Sequence, residues 1–169
     1  MTSPKQQYYD KRAEVLIKNL KSRHFGACYC ATREEALEKG AWEAVGRSTD
    51  AGVDVFITGA NALSMDGQMV NIDGYGNRCA AIIYGPKSVI VIAGMNKVTD
   101  DLDSAIIRAR TVAAPMNQQR FLKDVPCSLN GVCSDCKSAD CICNQVLITR
   151  HGRAGGRIKF IIVGENLGL

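Results

Sequence analysis

The run Ser88-Val-Ile-Val-Ile-Ala93 most limits what this chain can become. It is apolar and β-branched, without the alternation of a strand that keeps one wet face, so it needs cover on both sides. A second run, Val53-Asp-Val-Phe-Ile-Thr58, is bounded by glycines and reads the same way. Strands buried on both faces belong to sheets with helices above and below. The expectation is therefore an α/β fold: a mostly parallel sheet flanked by helices.

The rest of the pattern supplies those helices. Ser3-Pro4 followed by Val15, Leu16, Ile17 and Leu20 predicts a capped amphipathic helix ending near Ser22. Phe25 to Cys30 reads as a strand, and Thr32-Arg-Glu-Glu35 as a capping box that starts a second helix. Gly76 to Ile83 is helix-compatible. Asp100 or Asp101 caps a helix through Leu102, Ile106, Ile107 and Arg110, with Pro115 as the next break. Val146–Thr149 and Ile158–Val163, joined by the glycine-rich basic turn His151 to Arg157, predict a C-terminal antiparallel hairpin. At 169 residues the expectation is a single domain over 1–169, with a cysteine-rich loop at 126–143.

No stretch reaches the roughly twenty apolar residues that a bilayer crossing needs, so no membrane role is expected. The first residues lead into a charged amphipathic stretch rather than an apolar signal core, which points to the cytoplasm. Eight cysteines in that setting argue for reduced thiols or metal ligands rather than disulfides. A net charge of +4, scattered and without interleaved aromatics, gives no nucleic-acid footprint and suits a small anion as well as a solvated surface. His24 and His151 are the only histidines, and no Ser-His-Asp or Cys-His arrangement is evident.

Two segments carry the candidate chemistry. Between Asn61 and Arg78 the two Asp-Gly pairs suit tight turns, so the segment reads first as a hairpin arm and its connection. It also begins at the carboxyl end of a buried strand and ends at a helix start, where α/β sheets place ligands. There Gly74, Gly76 and Asn77 let amides approach an anion, with Arg78 either adding charge or serving as an ion-paired structural arginine. Asp66 and Asp73 are the candidate acid or base, although aspartates in such turns are commonly turn formers. Lys87 and Lys97 flank the next strand; both are candidates to reach such a ligand, with exposed surface lysine as the usual explanation. The second segment holds Cys127, Cys133, Cys136, Cys141 and Cys143, with Cys133 and Cys136 two residues apart. Such thiols suit structural zinc or an electron-passing iron–sulfur cluster; a disulfide or free buried thiols are the plain alternatives. Cys28, Cys30 and Cys79 fall in predicted strand or helix and read as core residues.

The runs Asp54-Val-Phe-Ile-Thr-Gly-Ala-Asn-Ala-Leu63 through Gly67, Val70-Asn-Ile-Asp-Gly-Tyr-Gly-Asn-Arg78, Gly85-Pro-Lys87, Asn96-Lys97 and Ala114-Pro-Met-Asn117 together resemble the lactate-utilisation (LUD) domain family. The resemblance covers about the last two thirds of the chain. It implies a fold related to ribose-phosphate isomerases and CoA transferases, and a link to oxidation of lactate to pyruvate alongside iron–sulfur partner subunits. It nominates Asn61, Asp66, Asn71, Asp73, Gly74, Gly76, Asn77 and Arg78 by motif match. It also implies Cys127, Cys133, Cys136 and Cys143 as the ligand set, with Cys141 as an extra. Relatives carry a further strand and a Gly-Gly-Ser-type loop with its helix ahead of the segment matching Asp54. Nothing here matches them, so either one side of the site is absent or a segment is missing near Gly40.

The leading expectation is a lactate-utilisation-type subunit binding a small anionic metabolite or cofactor through Asn61, Asn71, Gly74, Gly76, Asn77, Arg78 and Lys97, with a cysteine-held iron–sulfur or zinc centre. The alternatives are a transferase or isomerase for a phosphorylated or CoA-linked substrate, using Asp66 or Asp73 as base, and a zinc-stapled regulatory or scaffold domain. Homo-oligomerisation is left open.

Overall fold

The structure is a computed structural model that describes residues 3–45, 55–153 and 156–169. Helix α1 (Pro4–Ser22) starts at Ser3, whose hydroxyl accepts from the Gln6 N–H at 3.2 Å. Strand β1 (Gly26–Cys30) leads into α2 (Arg33–Val45) through the expected box. The Glu35 N–H donates to Thr32 Oγ1 (3.3 Å), and the Glu35 carboxylate accepts from the Ala31 N–H (2.9 Å). Helix α2 runs unbroken through Gly40 to Val45. Residues 46–54, which include the predicted strand residues Val53 and Asp54, lie outside the described residues.

Strands β2 (Val55–Thr58), β3 (Ala62–Ser64) and β4 (Met69–Asp73) are followed by α3 (Asn77–Ile83), β5 (Ser88–Gly94), a 3-10 turn (Met95–Lys97) and β6 (Val98–Thr99). Helix α4 (Leu102–Arg108), capped by Asp101, passes through a π-helical stretch (Ala109–Ala113) into α5 (Ala114–Gln118). Pro115, expected to break this helix, is carried inside it. In the wider register the Ala114 N–H bonds Ala109 O, so the missing N–H of the next residue falls where the ladder is already shifted. Helix α6 (Pro126–Asn130), the cysteine loop, β7 (Gln145–Thr149) and β8 (Ile158–Val163) complete the order.

One sheet is wholly parallel, in the order β1-β8-β5-β2; the other is mixed, in the order β6-β3-β4-β7. The α/β class and mostly parallel main sheet stand. The C-terminal hairpin does not. β7 pairs antiparallel with β4, whereas β8 runs parallel between β1 and β5. The reason is burial. Phe160 and Ile162 enter one core with α1 and the second sheet, while Ile161 and Val163 enter another with Ala36 of α2, so β8 is apolar on both faces and takes a central place. β7 has exposed Gln145 and Val146 and suits an edge. The layers are α2, the parallel sheet, then α1 with the mixed sheet, and finally α4, whose Ala105 packs with Ala109 on Ala62, Val70 and Ile72.

Candidate functional site

Asn61 sits at the end of the β3–β4 hairpin away from its turn. Its N–H donates to Val70 O (3.2 Å), and its Oδ1 accepts from the Ile72 N–H (2.8 Å), adding a rung that β3 alone does not supply. Arg78, in the first turn of α3, brings Nη2 to the same Oδ1 (3.0 Å) and to Ile72 O (2.5 Å). Asp73 fixes that helix start, its Oδ2 accepting from the N–H groups of Arg78 (2.9 Å) and Cys79 (3.2 Å). Gly76, at φ 82°, supplies the left-handed turn into α3 and has no side chain to cap it, so the cap comes from Asp73. The sequence offers this helix start to an external anion. In the structure the carboxylate there is the chain's own.

Cationic charge gathers one step away. Lys97 ends the 3-10 turn at the carboxyl edge of β5 and is only 7% exposed. Burial, with the charges of Arg108 and Arg78 adding to it, brings its pKa from 10.5 down to about 8. Arg108 enters from α4. Its Nε donates to Asn96 O (3.2 Å), its Nη1 donates to Asn61 O, and burial lowers its pKa. Asn61 is thus gripped at its side-chain oxygen by Arg78 and at its carbonyl by Arg108. Among the described residues, the ion pairs all lie elsewhere, and no carboxylate pairs with Lys97, Arg78 or Arg108. The chain's C-terminal segment borders the group, with Leu167 N–H on Asn96 Oδ1 (3.0 Å) and Asn96 Nδ2 on Gly168 O (3.3 Å).

The structure therefore brings Asn61, Arg78 and Lys97 together. Asp66 stays apart, in the hairpin turn at the far end of β3. Its carboxylate accepts from the Ser64 hydroxyl, Gln68 Nε2 (2.8 Å) and Arg23 Nη2 (2.7 Å). Burial alone would raise its pKa, but these hydrogen bonds and the Arg23 charge outweigh burial and hold it below the usual carboxylate value. Asn71 is fully buried in β4 opposite Leu147, and neither its Oδ1 nor its Nδ2 has a hydrogen-bond partner among the described residues. Arg108 escapes the sequence reading; its signal is a cation next to Ala109 and three residues after Ala105, on the small-residue face of an amphipathic helix.

The cysteine loop packs on the glycine loop. Asn144 Nδ2 donates to Gly74 O (3.1 Å), and a Cβ on Gly74 would stand 3.5 Å from Ile142 Cα. A cavity of about 540 Å³ lies between them, lined by Asp73, Asn77 and Arg78 on one side, Cys141 and Ile142 on the other, and Arg120 from the segment after α5. Burial raises the Cys127 thiol, and Cys136, Cys133 and Cys141 add to it. Cys143 is pushed up to about 12 by burial, then by Cys141, Cys133 and Cys127. Cys127 and Cys143 thus each lie within electrostatic reach of other thiols of the loop, and a thiophilic cation would relieve that part of what raises these two. Among the described residues no three His, Cys, Asp or Glu side chains form a closed ligand group. Thiols are suitable donors for a zinc ion or cluster in chemistry, but the described side chains do not gather into a ligand group. Cys30 and Cys79 are buried and raised by that burial, as core thiols are.

No described helix is long and apolar enough to cross a membrane. Compared with known proteins, residues 43–163 match the LUD domain. No curated protein sequence matches the chain. A solved structure, of a DUF162 family protein from Deinococcus radiodurans, is similar in fold: TM-score 0.53 at 14% identity, covering 96% of this chain and 99% of that one.

Proposed function

Since this chain belongs to the LUD domain family, we propose that it is a lactate-utilisation-type protein that binds a small anionic metabolite or cofactor between Lys97, Arg108 and Arg78. The observation that carries this is charge. Three cations gather there: Lys97 is pushed toward its neutral form by burial first and then by the repulsion of Arg108 and Arg78, burial lowers the pKa of Arg108, and no carboxylate of the described chain pairs with any of them. An anion would reverse that repulsion, and desolvation strengthens its attraction. The location agrees, since Lys97 stands at the carboxyl edge of the parallel sheet.

Asn61 does the positioning. It ties both arginines to the hairpin end, so their remaining donors keep a fixed direction. Asp73 sets α3, and through it the angle at which Arg78 enters. Gly74 and Asn77 line the neighbouring cavity and belong to the same proposed site.

Cys127, Cys133, Cys136 and Cys143 are the proposed holders of a metal centre, with Cys141 beside Cys143 in reserve. A bound iron–sulfur cluster would supply one-electron transfer beside the cavity, and a zinc ion would supply only stability. The redox role proposed is electron exchange with an iron–sulfur partner subunit during oxidation of lactate to pyruvate.

The test has two arms on the full chain. Anaerobic purification with visible absorption and iron, sulfide and zinc analysis reads the centre. Thermal shift with lactate, pyruvate and inorganic phosphate, repeated on Arg108→Met, reads the anion site. Stabilisation lost in Arg108→Met is the expected result. No stabilisation by any of the three removes the anion reading, and absence of iron and sulfide removes the redox role.

A further inference from the structure

Electrostatic binding of an anion does not account for how Lys97 is held. A lysine that serves only as a point charge gains nothing from giving up its proton more easily. Lys97 is instead enclosed by backbone. A Cβ added to Gly168 would stand 2.9 Å from its Nζ, and one added to Gly59 would stand 3.7 Å away. Gly59 follows β2 and Gly168 lies in the segment after β8, so three strand ends of the parallel sheet wall this one amine.

The charges facing it are Arg108 from α4 and Arg78 from α3, with no carboxylate among the described residues to hold the proton. Amines desolvated next to other cations are those that act as nucleophiles toward carbonyl carbon. Both guanidinium groups have capacity beyond their protein contacts. Arg78 uses only Nη2 in the hydrogen bonds described, and Arg108 uses Nε and Nη1. Planar forks with free donors suit a carboxylate.

We propose that Lys97 condenses with the carbonyl of a 2-oxo carboxylate whose carboxylate is held by Arg78 and Arg108. The lone pair of the neutral amine forms a bond to the carbonyl carbon, and the carbonyl oxygen takes up the two protons that the amine nitrogen gives up and leaves as one water, giving an imine. No electrons are exchanged and no other reactant is required. The step rests on the anion reading of this site and adds to it a covalent role for Lys97.

The experiment incubates the full chain with pyruvate, the smallest ketone of the class, reduces with cyanoborohydride and locates the carboxyethyl adduct by peptide mass spectrometry. At pH 7.5 an amine of pKa about 8 is on the order of a hundredfold richer in the neutral form than one at 10.5. Lys97 is therefore expected to be labelled at least ~10-fold faster than any other lysine. Phosphate competition should slow that labelling, and Lys97→Arg should abolish it while keeping the charge. Lactate, which lacks the carbonyl, should give no adduct. Absence of an adduct, or labelling spread evenly over surface lysines, overturns the proposal. Thermal stabilisation by pyruvate in the same samples separates the two failures: if it persists without an adduct, the anion site stands and only the imine falls.

Discussion

Replacing Lys97 by methionine removes a charge and keeps the volume, and without an anion it should make the protein more stable at neutral pH. The fall from 10.5 to about 8, at roughly 1.4 kcal/mol per pH unit, bounds the cost of the buried ammonium near 3 kcal/mol. Side-chain movement and water entry reduce this, so about 1–3 kcal/mol is expected, a rise in Tm of ~2–10 °C for a chain of this size. The pH dependence follows from the sign of the shift. Below pH 8 the lysine is protonated in both folded and unfolded states, and the wild type carries the full cost. Between about 8 and 10.5 the folded state gives up its proton first, the unfolded chain binds more protons, and wild-type stability rises relative to the variant. The gap is therefore widest near pH 7 and closes by about 10.5. Chemical denaturation of both proteins across that range reads it, and the cysteines and tyrosines that also titrate cancel in the difference. An anion at a hundred times its Kd would stabilise the wild type by ~2.7 kcal/mol and reverse the order. A variant less stable than wild type at pH 7 in anion-free buffer, or a gap indifferent to pH, refutes the buried, unpaired lysine.

Asp73→Ala leaves two α3 amides without their acceptor and should cost about 1 kcal/mol in denaturant melts, with weaker anion binding because Arg78 loses its fixed approach. Asp66→Ala should spare anion binding, measured by thermal shift, and flatten the acid limb of stability. Its depressed carboxyl contributes above the ordinary pKa near 3.8, and that contribution is lost as pH falls through its folded value. Removing bound metal by chelation, or substituting Cys133→Ser with Cys136→Ser, should lower Tm and abolish any visible absorption of the anaerobic protein; an unchanged Tm and metal content excludes these two as ligands. Gly94→Ala places a Cβ within 2.5 Å of Glu165 O and Leu167 N, so it should displace the C-terminal segment and speed hydrogen exchange at Leu167.

Local patterning determined much of this protein. Ser3-Pro4 and Thr32 to Glu35 specify helix starts within a few residues, and the structure contains both. The apolar run from Ser88 fixed a strand covered on both faces and hence the α/β class. Asn61, Arg78 and Lys97 were legible as candidates because polar residues cluster after strand ends. Partner choice was not legible. β7 and β8 are adjacent in sequence, yet burial on two faces puts β8 inside the parallel sheet and leaves β7 at an edge. Pro115 signals a break locally, and a π-helical register absorbs it. Asp66 and Asp73 look alike in their Asp-Gly pairs, but only coordinates show one tied to Arg23 and the other capping α3. Sequence alone determined which groups carry charge and where most strands and helices form, since both follow from neighbours a few residues apart; α6, inside the segment read as a cysteine loop, and the two-residue β6 were not legible. Tertiary structure alone decided that Arg108 joins Arg78 on Asn61, that the cysteine loop packs against Gly74, and that no described carboxylate meets Lys97. Those facts depend on contacts between residues distant in the chain.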